Sequence, residues 1–193
     1  MKNLLTAFIL TIALAGVTLA QNASGAKNGA RQAGGATEIE MAVVEFTPGP
    51  NAAAMAPEAK RQLQTSLAAA LAKSNKFDVA DIRWTRNESE KDLAAINGAS
   101  STAAAVKLGK RLDVGYVVTG TVTEYAPKGA GNIGRVSIKL RIVEVATGKV
   151  RHTDEVTQQS TGEMNTNGVV EMQSKTVKPA VEKLAAAIKE LKL

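Results

Sequence analysis

The sequence predicts an α/β domain in which a mixed sheet is covered by flanking helices. Three observations carry this prediction: β-branched runs of strand length, amphipathic stretches of helix length between them, and one segment with strict apolar–polar alternation. The chain of 193 residues is long enough for one domain of ordinary size and an N-terminal extension. We expect the order strand–helix–strand–helix–helix–strand–strand–strand–helix.

The first part of the domain predicts two strands with a helix between them. Glu38–Phe46 is apolar on both faces, which is typical of a central strand covered on two sides. The Pro- and Gly-rich residues 47–51 predict a loop. A helix is expected from Pro57 to about Ser74, because proline fits the first turn of a helix. Residues 77–82 predict the second strand.

Two short helices are expected next. Asn87 and Glu90 have the spacing of a capping box, which predicts a helix that starts at Asn87 and ends near Ile96. The polar residues 100–102 then predict the start of another helix, which ends near Asp113.

The last part predicts three strands and a C-terminal helix. Val114–Tyr125 is rich in Val and Thr, and Val136–Val145 alternates as an antiparallel strand with one buried face does. Thr147-Gly148 predicts a tight turn into a strand over Lys149–Gln158, and Pro179–Leu191 has the apolar stripe of a helix.

The turn also predicts a register. A two-residue loop would place Arg141 opposite Asp154 and Glu144 opposite Arg151, so that opposite charges face each other across the hairpin.

The N-terminus predicts a secretory signal peptide over residues 1–20. Lys2 precedes an apolar run, and the small residue Ala20 stands before Gln21, where we expect cleavage. An uncleaved membrane anchor is the alternative, since residues 4–20 approach the length of a spanning helix. Residues 21–36 predict a flexible tether, and 37–193 the folded domain. We therefore expect a periplasmic protein.

The composition restricts the classes of function. The absence of cysteine excludes disulfides, thiolate nucleophiles and cysteine-bound metals, and a single histidine, His152, excludes a two-histidine zinc site. Aromatic residues make up only 3%, which argues against sugar-stacking clefts and single-stranded nucleic-acid platforms. Nothing in the sequence positions His152 against Ser137, Ser160 or Asp154, so a surface histidine is favoured over a catalytic one. We expect no enzyme activity, no cofactor, no metal and no small-molecule substrate.

Residues 129–134 match the pattern G-x-G-x-x-G. The dinucleotide-binding fingerprint requires this pattern to open a helix, whose N-terminus holds the pyrophosphate. The residues that follow alternate with a period of two, so the pattern predicts a hairpin loop instead.

Several segments resemble one family in composition and order. They are residues 41–47 (MAVVEFT), the FDVAD strand, the helix-to-strand junction 108–120 and the hairpin around 146–149. This combination resembles the curli production assembly/transport component family (CsgG), whose periplasmic domain is shared with the penicillin-binding-protein activator LpoB. The resemblance implies a non-enzymatic envelope protein that acts through protein partners or self-association.

The resemblance leaves three roles open. The first is a structural or adaptor role in curli-type assembly or export at the outer membrane, and the second is an LpoB-like regulator of a peptidoglycan synthase. The third is a secretion pore subunit, which needs two membrane hairpins per subunit. Residues 126–135 and the polar residues 160–169 are too short for such hairpins and lack an alternating apolar face. Val17 stands where the lipid-bearing cysteine of a lipoprotein would be, so no lipid anchor is expected.

Four residues are candidates for a partner surface. Arg135, Lys139 and Arg141 fall on the wet face of their strand, and Trp84 belongs to a residue type that is enriched in interface hot spots. Core packing is the alternative for Trp84. Nucleic acid is not expected as a partner, because the chain is exported and acidic residues lie near the basic ones.

Overall fold

The computed structural model describes residues 38–98, 102–128, 130–166 and 168–193. The expected signal peptide with its cleavage site at Ala20 and Gln21, the tether, and the expected helix start at residues 100 and 101 lie outside these ranges. The strands are β1 (Ile39–Val43), β2 (Thr47–Asn51), β3 (Phe77–Val79), β4 (Tyr116–Ala126), β5 (Ile133–Glu144) and β6 (Val150–Glu163). The helices are α1 (Pro57–Ala72), α2 (Ile82–Ser89), α3 (Leu93–Asn97), α4 (Ala103–Leu112), α5 (Val169–Met172) and α6 (Lys178–Glu190).

Three single turns complete these elements. A 3-10 turn over Glu90–Asp92 joins α2 to α3, and another over Ala130–Asn132 precedes β5. A π turn over Gln173–Val177 joins α5 to α6.

The strands form one mixed sheet in the order β3-β1-β4-β5-β6, with β2 also paired to β4. β1 runs parallel to β3 and β4, whereas β4, β5 and β6 are antiparallel neighbours. The predicted fold class, a mixed sheet with flanking helices, is therefore confirmed.

The larger hydrophobic core lies between α1, α6 and one face of the sheet. Leu63, Leu67 and Leu71 of α1 are fully buried, as are Leu184 and Ile188 of α6. The sheet contributes the inward residues of β4 and β5 to the same cluster: Val118, Val122, Ile138, Leu140 and Ile142. The alternation of β5 thus produces the buried face that it predicts.

A smaller core lies on the opposite face of the sheet, under α3 and α4. Ile96, Leu108 and Leu112 contact the other parity of the strands, including Val117 and Val143. Gly109 of α4 lies so close to the sheet that an added Cβ would come within 2.3 Å of Val145 Cγ2.

The structure corrects the expected boundary between β3 and α2. The strand ends at Val79, and Ile82 belongs to α2. Asp81 is the N-cap, since its side chain accepts hydrogen bonds from the backbone N–H groups of Arg83 and Trp84 at 2.9 Å each. Asn87 lies inside α2, so the predicted capping box is wrong.

Residues 47–51 form β2 rather than a loop. The strand pairs only with β4 among the described residues, and an edge position tolerates Pro48 and Pro50 because no ladder bond is lost on the open side.

The predicted hairpin register is also wrong. Arg141 stands opposite Thr153 rather than Asp154, because four residues, 145–148, connect the paired Glu144 and Lys149 where two are predicted. The longer connection moves the pairing by two residues, and the extra residue of β6 at Arg151 moves it back by one. β6 also continues to Glu163, five residues beyond its predicted end at Gln158. Within the described residues, no helix is both long and apolar enough to span a bilayer.

Candidate protein-interaction surface

The predicted basic residues lie along one face of β5, on the side of the sheet that carries the smaller core. Arg135, Lys139 and Arg141 alternate with the buried residues of the strand, as the sequence predicts. Helices α3 and α4 cover the end of this face near Val143, and β5 and β6 continue beyond them as an open polar area.

Arg141 takes part in the fold. Its guanidinium group donates hydrogen bonds to the backbone C=O of Gly98 and, at 3.5 Å, of Ile96 at the C-terminal end of α3. A cation next to unsatisfied helix carbonyls is favourable for the helix. Arg141 therefore anchors α3 to the sheet.

Lys139 is the exposed member of the basic set. It stands opposite Thr121 in β4 and opposite Glu155 in β6. Arg135 lies 4.0 Å, measured from Nε, from Glu124 Oε1, and its side chain is 44% exposed. Because an exposed pair at this distance contributes little to stability, Arg135 stays available to a partner.

Hydroxyl groups connect the strands of this open face. Ser137 Oγ lies 2.9 Å from Thr157 Oγ1 in β6 and donates to Glu124 Oε2 in β4 at 3.3 Å. These contacts join the polar side chains of β4, β5 and β6 next to Lys139.

Trp84 is separated from the basic residues. It is half-buried in α2 and packs against the smaller core, and α2 contacts β1, which lies two strands away from β5. The structure brings Arg135, Lys139 and Arg141 onto one strand, but it does not bring Trp84 to the same place.

His152 and Asp154 lie on the same face of β6, but neither serine weighed for hydrolytic chemistry joins them. His152 lies on the same face of β6 as Val156, which packs against the larger core, whereas Ser137 lies on the open face. Ser160 lies eight residues along β6, and its hydroxyl binds the backbone of Gly134 and Gly162. The Nε2 atom of His152 is buried and has no hydrogen-bond partner.

The pattern G-x-G-x-x-G connects two antiparallel strands. The 3-10 turn at Ala130–Asn132 leads directly into β5, so a strand follows the glycines. In the described ranges, no group of three or more acidic or histidine side chains is arranged to hold a metal ion.

Glu171 locks the segment that follows β6. It accepts hydrogen bonds from Lys175 Nζ at 2.8 Å and from the backbone N–H groups of Asn165 and Thr166 at 2.9 and 2.7 Å. These contacts, the one from Lys175 first, hold the pKa of Glu171 at about 2, below its usual range. Lys175 also donates to the C=O of Glu163, so the end of β6 is fixed. On the larger core, burial raises the pKa of Tyr125.

One structural residue was not recognised from the sequence. The sequence predicts only a helix end near Ile96, yet the buried side chain of Asn97 donates to the C=O of Glu45 and accepts the N–H of Gly120, each at 2.8 Å. Glu45 lies between β1 and β2, so the amide of Asn97 supplies the hydrogen bonds that a continuous strand would make. A lone asparagine before glycine gives no signal of this role in the sequence.

The outer edge of β6 was not recognised either. β6 ends the sheet, and none of the described strands pairs with its outer side. The polar run from Val150 to Glu163 was the available signal, because an edge strand tolerates polar residues on both faces.

Solved structures with the same fold come from several bacteria. The chain is 16% identical to the PelC dodecamer protein from Paraburkholderia phytofirmans over 76% of this chain and 86% of that one, with a TM-score of 0.50. It is 20% identical to the lipoprotein GNA1162 from Neisseria meningitidis over 80% and 99% of the two chains, also with a TM-score of 0.50. The hypothetical protein CT253 from Chlamydia trachomatis is 12% identical over 79% and 94%, with a TM-score of 0.52. At these identities the similarity shows the fold alone.

A family model extends the comparison beyond the fold. No curated protein sequence matches the chain significantly. The model of the peptidoglycan-synthase activator LpoB matches residues 59–158, which run from α1 into β6 and make up more than half of the chain. This match supports the LpoB part of the resemblance seen in the sequence and gives no support to the curli part. The chain belongs to the peptidoglycan-synthase activator LpoB family.

Proposed function

We propose that this protein is a non-catalytic periplasmic regulator that binds a peptidoglycan synthase and raises its activity. The observation that carries the proposal is the match of the activator family model across residues 59–158. The separation of His152 from Ser137 and Ser160 supports a role without catalysis of its own. The curli-type role has no support from the comparisons, so we do not propose it.

The open face of β5 and β6 is the surface that we assign to the partner. Its exposed charges are Lys139 and Glu155, with Arg135 at the margin. Charges at the rim of an interface mainly set the association rate and its salt dependence. A charge reversal at Lys139 is therefore expected to slow binding without affecting the fold.

The direct test is a glycan polymerisation assay with the purified chain and a peptidoglycan synthase of the same cell. We expect the rate to rise with the protein and to rise less with Lys139→Glu, whereas Lys192→Glu, an exposed lysine after α6, behaves as wild type. A synthase that neither binds nor responds to the wild-type chain would contradict the proposal.

Export belongs to the same proposal. A regulator of cell-wall synthesis acts outside the cytoplasmic membrane, which the expected cleavage between Ala20 and Gln21 would permit. Protein from the periplasmic fraction should have the intact mass of a chain that begins at Gln21. A full-length mass found only in membranes would favour the anchor.

A further inference from the structure

We propose that the outer edge of β6 is a docking site for an extended, basic segment of a partner protein, which adds a strand to the sheet. The inference deepens the proposed function and rests on it for the identity of the partner. Strand addition gives affinity through backbone hydrogen bonds, and it needs an accessible edge of regular geometry.

The regular part of this edge is His152–Gln159, which pairs residue for residue with 135–142 of β5. It is eight residues long and spans about 26 Å at the usual strand rise. Extra residues of β6 interrupt the pairing on both sides of it, at Arg151 and between Gln159 and Glu163. It contains neither proline nor lysine, two residue types that commonly protect sheet edges. Of the other edge strands, β3 has only three residues and β2 carries two prolines.

The hydrogen-bond pattern identifies the outward groups. Glu144 N–H donates to the C=O of Lys149, which leads into β6. The backbone N–H and C=O groups of the even-numbered residues of β5 therefore point towards β6. They pair with even-numbered residues of β6, as in Leu140 with Asp154. The backbone N–H and C=O groups of successive residues in a strand point to opposite sides within the sheet. The N–H and C=O groups of the odd-numbered residues of the regular segment therefore point away from β5. These residues are Thr153, Glu155, Thr157 and Gln159.

Two of the outward groups are already satisfied by neighbouring side chains. Asp154 Oδ1 accepts the N–H of Glu155 at 2.8 Å, and Gln158 Nε2 donates to the C=O of Gln159 at 2.5 Å. Both side chains belong to exposed or half-exposed residues and can turn away. They act as local caps that protect the edge until a strand replaces them.

The negative charge of the β6 edge favours a basic segment as the added strand. The regular segment carries Asp154 and Glu155 and no Lys or Arg, in a chain with a net charge of +6. Lys139 stands opposite Glu155, whereas Asp154 stands opposite Leu140 and has no basic cross-strand neighbour. A lysine or arginine opposite Asp154 in the added strand would be its basic cross-strand neighbour.

A second copy of the chain fits less well. Residues whose backbone groups point away from β5 must pair with the same kind of residue in the second copy. The two-fold axis between two antiparallel copies of β6 therefore passes through a residue. Centring on Asp154 or Glu155 places each carboxylate against its own copy, and centring on Val156 collects four carboxylates around the axis. Centring on Thr153 or Thr157 avoids this but pairs only three or five residues of the regular segment. Like charges at such spacings destabilise a strand pair.

The test uses amide hydrogen exchange, resolved by residue, on the full chain. The probe is a ten-residue peptide of alternating Thr and Lys, and its control alternates Thr and Glu. We expect the Thr–Lys peptide to slow exchange at Thr153, Thr157 and Gln159 by about tenfold or more, as new hydrogen bonds would, and the control to leave it unchanged. Unchanged exchange with both peptides, or equal protection by both, overturns the proposal. Protection before any peptide is added also overturns it, because the chain itself or a second copy then covers the edge.

A proline variant tests the same edge. Thr157→Pro removes an outward N–H and leaves the ladder to β5 intact, so binding of the Thr–Lys peptide should weaken by about tenfold. Ser137→Ala is the matched control, because it removes the same hydroxyl contact to Thr157 without changing the edge. Circular dichroism checks folding, and if the proline variant does not fold, the exchange data decide.

The response of the synthase to the proline variant distinguishes edge docking from the proposed function. If the synthase responds equally to wild type and to a folded Thr157→Pro variant, edge docking is wrong and the proposed function stands. If the peptide protects the edge but the synthase does not bind, the proposed function is wrong and edge docking stands.

Discussion

Replacing Asn97 with alanine tests how the sheet closes the break between β1 and β2. The change removes two hydrogen bonds of 2.8 Å from a residue that is only 6% exposed. The N–H of Gly120 is buried, and leaving it unpaired costs about 1–3 kcal/mol. Glu45 is half-buried, so water can reach its C=O and the second loss adds about 1 kcal/mol or less. We expect a total loss of about 1–4 kcal/mol in the free energy of unfolding.

Urea unfolding followed by far-ultraviolet circular dichroism measures this loss. Asn87→Ala is the control, because Asn87 is an exposed asparagine within α2, and its replacement should change stability by no more than about 0.5 kcal/mol. A loss below about 1 kcal/mol for Asn97→Ala, with an unchanged slope, would refute the reasoning that this amide replaces strand hydrogen bonds.

Three further changes address packing and charge. Gly120→Ala should destabilise by about 1–3 kcal/mol or more, because its Cβ would lie 2.2 Å from the ring of Phe46, whereas Gly162→Ala, in open space, should change little in the same urea titration. Leu67→Ala should cost about 2–5 kcal/mol, since Leu67 is fully buried in the larger core, and a small loss in the unfolding free energy would contradict that placement. Glu171 has its pKa lowered to about 2 in the fold, so its stabilisation is present above the unfolded pKa and is lost as the pH falls towards 2. The melting temperature should therefore fall more between pH 7 and pH 3 for wild type than for Glu171→Gln. Equal falls would argue against a stabilising role of the hydrogen bonds to Glu171.

Sequence patterns predicted the elements whose burial is regular. Val136–Ile142 alternates over seven residues, and this pattern survives in β5 because one face meets the larger core and the other is polar there, whereas Val143 on that other face packs in the smaller core. The C-terminal helix, predicted over Pro179–Leu191, is shifted by one residue for the same reason: its apolar stripe packs against α1.

The sequence failed where one hydrogen bond outweighs a pattern. Asp81 caps α2 although Asn87 and Glu90 match a capping box, because the chain leaves β3 at Val79 and must turn at once. The hairpin register differs from the prediction because four residues connect Glu144 to Lys149 and β6 has an extra residue at Arg151, and neither a longer turn nor a bulge has a periodic signature.

The surface was only partly predictable. Arg135, Lys139 and Arg141 share a face, as the period of two requires, but only the fold shows that Arg141 is bound to the end of α3. The outward groups of β6 depend on which strand lies last in the sheet, and that order is set by long-range pairing.

The two cores on opposite faces of the sheet affect how this protein can be observed. Trp84 is the only tryptophan, and it packs against the smaller core beside α3 and α4. Its fluorescence will therefore report the detachment of that helical layer, whereas the circular dichroism signal follows the whole fold. Local layers of a protein can open at a lower free energy than global unfolding. A fluorescence transition that precedes the dichroism transition would thus measure how loosely the α2–α4 layer is held, and agreement of the two would show that both faces melt together.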